Sequence, residues 1–194
     1  KYRDQSYVMR YALRSFMKSL HKMYLGLEVP KKVVEVGCGE GFISGYLSKL
    51  SPDTDFYGLD ISKKNIKQMA RIFPHIVGEA IDFYDYKTEN VECDLIICCE
   101  VLEHLPDPEA AIEKFVAMKP KNIIISVPNE PWFRLGAMMR GKNMKRWGNP
   151  IDHVNHWNPY TFKKLLSKHF DVVKVKTPQA WIMVHAKAKS CPTK

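Results

Sequence analysis

Val33-Val34-Glu35-Val36-Gly37-Cys38-Gly39-Glu40-Gly41-Phe42 is the stretch on which the reading of this chain turns. A short apolar run passes into three glycines at every second position, and an amphipathic segment follows. Where a strand bends into a helix, residues without a Cβ tolerate positive φ and let a ligand approach the main chain closely. The first amides of the following helix lie nearby. A dinucleotide-binding turn follows G-x-G-x-x-G, which would put its third glycine at Phe42. The spacing therefore argues against a nicotinamide dinucleotide.

Outward from this turn, short apolar runs alternate with longer amphipathic ones from residue 31 to about 128. That alternation predicts strands joined through crossover helices into a parallel sheet, an α/β fold. The strands expected are Lys32 to Val36, Asp55 to Leu59, Ile76 to Ala80, Asp94 to Cys99 and Asn122 to Val127. Helices are expected to begin near Gly41, Ser62 and Asp107, the last two residues acting as N-caps. Pro74, Pro106, Pro120 and Pro128 mark the joins. Later, Pro159 to His169 reads as a helix, and Val172 to Val175 and Trp181 to Ala186 as strands joined through Thr177-Pro178-Gln179. So short a connection makes a hairpin, which requires one late strand to run antiparallel.

At 194 residues and 45% apolar the chain can bury one substantial core, so a single domain over residues 1–194 is expected. No apolar run approaches the ~20 residues of a spanning helix. Arg3, Arg10, Arg14, Lys18 and Lys22 interrupt the first thirty residues, unlike a secretory signal. The expectation is a soluble, cytoplasmic protein with reduced thiols, because the five cysteines form no CxxC pair. The formal charge of +9 has two readings, an acidic partner or lysines scattered on solvated helix faces, such as Lys63, Lys64 and Lys67.

G-x-G-x-G with Glu35 ahead of it resembles the first motif of the class I S-adenosylmethionine-dependent methyltransferases. That resemblance, which covers roughly residues 30 to 130, implies a Rossmann-like, mostly parallel seven-stranded sheet with one antiparallel strand near the C-terminus and helices on both faces. It implies S-adenosylmethionine as cofactor, held by the turn residues Gly37, Cys38, Gly39 and Gly41, with Glu35 beneath its methionine part. Asp60, followed by Ile61, would take the ribose hydroxyls, and a carboxylate suits two hydroxyl donors. Asp82 and Phe83 would lie beside the adenine, with Glu79 as the competing acid, and Glu100 near the amino group.

Beyond the fourth strand, Cys99-Glu100-Val101-Leu102-Glu103-His104 would put Glu100, Glu103 and His104 on one face if it were helical. Two carboxylates and an imidazole can hold a metal, and Asp152-His153-Val154-Asn155-His156-Trp157 could supply a further ligand. E-x-x-E-H with a later histidine resembles both the ubiquinone-biosynthesis O-methyltransferases and, through D-H-x-x-x-W, the small-RNA 3′-terminal 2′-O-methyltransferases. The resemblance implies Glu100, Glu103, His104 and His153 as ligands of a divalent ion that would chelate a vicinal pair of hydroxyls. Without a metal, His104 or His153 is a candidate general base. His156 stands where the RNA-modifying family has a glutamate, a departure that weakens that carry-over.

Residues 1–28 are expected to form a helical cap, with a helix over Tyr2 to Leu25, and 131–157 an insertion or lid after the fifth strand. Residues 131–147 mix aromatics and methionines with five basic residues and no acid, as a membrane-surface helix, a lid over an apolar acceptor or an ordinary cap helix would. The acceptor expected is a hydroxyl of a small phenolic, lipid-like or otherwise apolar molecule. RNA ends are the alternative, and a cofactor-binding protein without catalysis is a third reading.

Overall fold

Alternate residues of the central strands face opposite layers of the molecule, and this period of two organises the fold. The structure is a computed structural model that describes residues 7–88, 91–130 and 153–189. In chain order the elements are α1 (Tyr7–Tyr24), β1 (Lys32–Val36), α2 (Phe42–Leu47), β2 (Asp55–Asp60), α3 (Lys63–Ile72), β3 (Val77–Ala80) and β4 (Leu95–Cys99). A 3-10 turn (Leu102–His104), α4 (Pro108–Ala117), β5 (Asn122–Pro128), α5 (Pro159–Ser167), β6 (Phe170–Lys176) and β7 (Trp181–Ala188) follow. The seven strands form one sheet in the order β3-β2-β1-β4-β5-β7-β6. β7 runs antiparallel to both neighbours and the other pairings are parallel, which agrees with the expected single reversed strand.

On one face Val34, Val36, Ile96, Cys98, Ile123 and Ile125 pack with Ile112 and Phe115 of α4 and Phe162 and Leu166 of α5. On the other, Val33, Leu95, Ile97, Ile124 and Met183 pack with Phe16 and Leu20 of α1, Leu47 of α2 and Met69 of α3. Each such aliphatic or aromatic side chain, once fully buried, contributes about 1.5–3 kcal/mol. The caps act locally, as expected. The Ser62 hydroxyl accepts from Asn65 N at 3.3 Å and Asp107 Oδ1 from Ala110 N at 3.0 Å. Asn158 and Thr161 close a reciprocal capping box at α5.

β6 extends two residues earlier and one later than the composition suggests, because Phe170 and Lys176 find partners in Ala188 and Met183. No helix among the described residues is long and apolar enough to cross a membrane. The expected lid residues 131–152, and with them Asp152, lie outside the described residues.

Candidate active site

The strand order reverses between β1 and β4, and ligands of open α/β sheets bind in the crevice outside the carboxyl ends of the strands at such a point. Gly37, Gly39 and Gly41 all have positive φ, between 55° and 75°. At Gly37 a Cβ would stand 2.1 Å from Val101 Cγ2, so the turn presses directly on the loop after β4. At Gly39 a Cβ would meet no protein atom within 4 Å. The bend is thus tight on one side and open on the other.

Its amides are already engaged. Gly37 N and Cys38 N donate to Leu59 O at 2.7 and 3.0 Å, and Gly41 N to Cys38 O at 2.9 Å. Gly39 N donates to Asp60 Oδ2 at 2.8 Å, and Ser44 N to Glu35 Oε2 at 3.0 Å. Of the first amides of the following helix, which the sequence sets near a ligand, Ser44 N is thus already taken by Glu35. A diphosphate needs such donors, whereas an uncharged nucleoside needs surface and a carboxylate for its sugar.

Asp60 closes β2 and is fixed by three donors: Gly39 N, Ser62 N at 2.8 Å and Asn65 Nδ2 at 3.2 Å. Two carboxylate oxygens offer about four acceptor sites, so capacity remains for a ligand. A cleft of about 460 Å³ opens beside it, lined by Gly37, Asp60, Ile61, Asp82, Phe83, Glu100 and His104 among others. The fold brings these expected residues onto one cavity, and Glu79 is not among its lining. Glu35, Cys38 and Gly41 lie buried behind the turn. Glu35 accepts from the Ser44 hydroxyl and amide, and burial pushes its carboxyl up to about 7 against those bonds.

Glu100 departs from expectation. Its φ of 59° is left-handed, so the segment is not a continuous helix and Glu100 does not share a face with Glu103 and His104. The carboxylate accepts from Ser126 Oγ at 3.0 Å and Trp181 Nε1 at 2.7 Å. Burial pushes it up to about 7 despite both donors. Non-glycine residues held in this backbone region cost ~1–3 kcal/mol and cluster at functional sites. On its other side Glu100 borders a second cavity of about 730 Å³, formed with Met9, Leu13, Phe16 and Met17 of α1, Phe42 and Ile43 of α2, Cys99 and Trp181. Trp181 was unanticipated, since nothing local distinguishes it from any aromatic residue opening a strand. The apolar residues of α1 recur three and four positions apart, a signal that could have found this wall.

Glu103, His104 and His153 each place a ligand atom within 4.8 Å of the others. Val154 N and Asn155 N donate to Glu103 O at 2.9 and 3.1 Å. Asn155 Nδ2 donates to Leu102 O and Leu105 O at 3.3 and 2.6 Å. These bonds hold His153 beside the 3-10 turn, with the His104 and His153 rings edge to face at 4.9 Å. Three of the four expected metal ligands thus converge, and Glu100 is not in the cluster.

Residues 8–175 match the family model described as a methyltransferase domain. A ubiquinone biosynthesis O-methyltransferase of Idiomarina loihiensis is 30% identical over 140 residues, 66% of this chain and 51% of that protein. One from Proteus mirabilis is 27% identical over 180 residues, 73% of this chain and 71% of that protein. The chain spans about half the length of the first of these relatives. Among solved structures, a plantazolicin methyltransferase bound to a desmethyl-plantazolicin analogue and S-adenosylhomocysteine superposes with a TM-score of 0.73, at 14% identity over 94% of this chain and 84% of that one. The magnesium protoporphyrin IX methyltransferase of Synechocystis PCC 6803, with bound S-adenosylhomocysteine, gives 0.72 at 16% identity over 96% of this chain and 89% of that one. These likenesses are of fold. With the family match over most of its length and the same sheet as these solved methyltransferases, the chain belongs to the methyltransferase-domain family.

Proposed function

We propose that this protein transfers the methyl group of S-adenosylmethionine to a hydroxyl of a small apolar, phenolic or lipid-like acceptor. The observation that carries the reading is the meeting of two cavities at Glu100, a polar cleft beside Asp60 and an apolar cavity walled by α1. In this reading the turn at Gly37, Cys38, Gly39 and Gly41 gives the cofactor its floor. Asp60, with Ile61 beside it, receives the ribose hydroxyls, Asp82 and Phe83 flank the adenine, and Glu35 braces the turn from below. Glu100 faces the cofactor's amino group. The cofactor supplies an electrophilic methyl on a sulfonium. What remains for the chain is to orient the acceptor oxygen in line, exclude water and accept a proton.

The apolar cavity suits exclusion of water, since Leu13, Phe16, Met17 and Ile43 offer no hydrogen bonds to compete with the reacting hydroxyl. The relatives named for ubiquinone biosynthesis support a phenolic acceptor. Glu103, His104 and His153 form a donor set suited to a divalent ion, which would acidify a coordinated hydroxyl. In the metal-free form of the reading His104, which borders the cofactor cleft, or His153 takes the proton.

The test is transfer of a radiolabelled methyl group from S-adenosylmethionine into separately extracted lipid, small-metabolite and RNA fractions. Label in lipid or small phenols is expected. Label confined to RNA, or none in any fraction, overturns the acceptor assignment. Titration with Mn²⁺ tests the metal: binding lost in His153→Ala supports it, and transfer unaffected by exhaustive chelation refutes it.

A further inference from the structure

At the opposite end of the sheet lies a third concavity, of about 450 Å³, to which no part of the methyl-transfer reading assigns a role. It sits where β5 begins, since Asn122 lines it and stands in register with Lys187 of β7. Four lysines enter it from four places in the chain: Lys22 from the last turn of α1, Lys121 ahead of β5, Lys174 from β6 and Lys187 from β7.

The charges do not cancel. Lys121 is paired with Asp94 at 2.8 Å. Among the described residues, no carboxylate lies within ion-pair distance of Lys22, Lys174 or Lys187. Glu28 lies in the lining and Asp171 stands across from Lys187 in the strand register, both without such a pair. The carbonyl end of α1 adds roughly half a negative charge, which weakens the field of three unpaired ammonium groups without cancelling it. Neighbours register that field. After burial, Lys187 and Lys174 are the next causes that hold His185 below its ordinary value, and Lys174 and Lys22 do the same for Lys176. Like charges gathered in a concavity repel one another, and a bound anion relieves that repulsion.

We propose that this cavity binds a phosphate-bearing anion seated between Lys22, Lys174 and Lys187. A phosphate matches three ammonium groups better than a carboxylate, because it offers three strong acceptor oxygens and up to two charges. Asn122 supplies a neutral donor: its Oδ1 is engaged with His185 Nε2 at 2.9 Å, which leaves Nδ2. The volume exceeds what a lone phosphate fills, so the ligand class is a phosphomonoester or polyphosphate. An anion held there links α1 to β6 and β7 and stabilises the folded chain.

Calorimetric titration of the intact chain with sodium pyrophosphate, at ionic strength held constant with sodium chloride, is expected to show one saturable site. Lys174→Gln combined with Lys187→Gln is expected to weaken it by about tenfold or more. Lys63→Gln with Lys64→Gln, on the exposed face of α3, should leave it unchanged. All four lysines are exposed, and unliganded melting temperatures verify that both double variants fold. Absence of saturable binding, or equal weakening in the α3 variant, overturns the proposal. Cosedimentation with phosphatidylcholine vesicles, with and without phosphatidic acid, identifies the source of the phosphate. Vesicle binding displaced by pyrophosphate assigns the cavity to a lipid headgroup, and any other vesicle result, given pyrophosphate binding, assigns it to a soluble phosphate compound.

Discussion

Adding one methyl group at Gly39 separates the cost of folding from the cost of binding. Gly39→Ala places a Cβ where no protein atom lies within 4 Å, at a φ of 55°. The left-handed conformation costs an alanine about 1–2 kcal/mol, which lowers the melting temperature of a domain this size by about 2–8 °C. Gly37→Ala has the same conformational cost and adds an overlap, its Cβ 2.1 Å from Val101 Cγ2. Overpacking of that kind adds about 1–3 kcal/mol, so Gly37→Ala is expected to be the less stable variant. Binding should rank differently. The new methyl of Gly39→Ala occupies the open side of the turn, where the nucleoside is proposed to lie, while the amide that donates to Asp60 is retained. Affinity for S-adenosylhomocysteine is expected to fall by at least about tenfold, or ~1.4 kcal/mol. Calorimetric titration and thermal melting of the same samples read both quantities. Wild-type affinity in Gly39→Ala would refute the placement of the ligand above this turn, whatever the melting temperature.

The buried acids make stability depend on pH with a definite sign. Burial raises Glu35 from 4.5 to about 7, so the folded state favours the neutral acid, and that contribution is complete below the unfolded value and is lost as pH rises through about 7. The shift corresponds to ~3 kcal/mol. Glu100 moves in the same direction, so Glu35→Gln should remove about half of the decline in denaturation free energy between about pH 5 and pH 8, and an unchanged slope would count against this account. Leu13→Gln puts an amide into the apolar cavity; we expect unchanged S-adenosylhomocysteine affinity with a several-fold higher KM for an apolar acceptor, and loss of cofactor affinity instead would move Leu13 to the cofactor side. Asn155→Ala removes the two bonds to Leu102 O and Leu105 O, costing about 1–3 kcal/mol in denaturant. It should also weaken Mn²⁺ binding by loosening the segment that carries His153 against the 3-10 turn, although the backbone bonds to Glu103 O remain, and undiminished ion affinity would show that the Asn155 side chain does not position the cluster.

The parts of this protein legible in its sequence are those governed by neighbours along the chain. Alternating apolar residues place the strands, and the glycine triplet places the bend. Ser62 and Asp107 set helix starts three residues before the amides they accept. Asp60 at the end of β2 follows from the same local logic. The antiparallel β7 is also local, because a connection as short as residues 177 to 180 forces a reversal.

Tertiary structure decided the site's polar details. Glu100 points to Ser126 and Trp181, 26 and 81 positions away in sequence, and a left-handed backbone takes it out of the metal-ligand cluster that helical spacing suggested. The glycine-turn amides are consumed by Leu59 and Asp60 from the next strand. The basic cavity draws its lysines from four separate stretches. Local spacing dictates backbone conformation because its cause lies within a turn or two of the residue. A side chain's partners and charge environment are set by whatever distant segment the sheet brings alongside, and no local pattern carries that information.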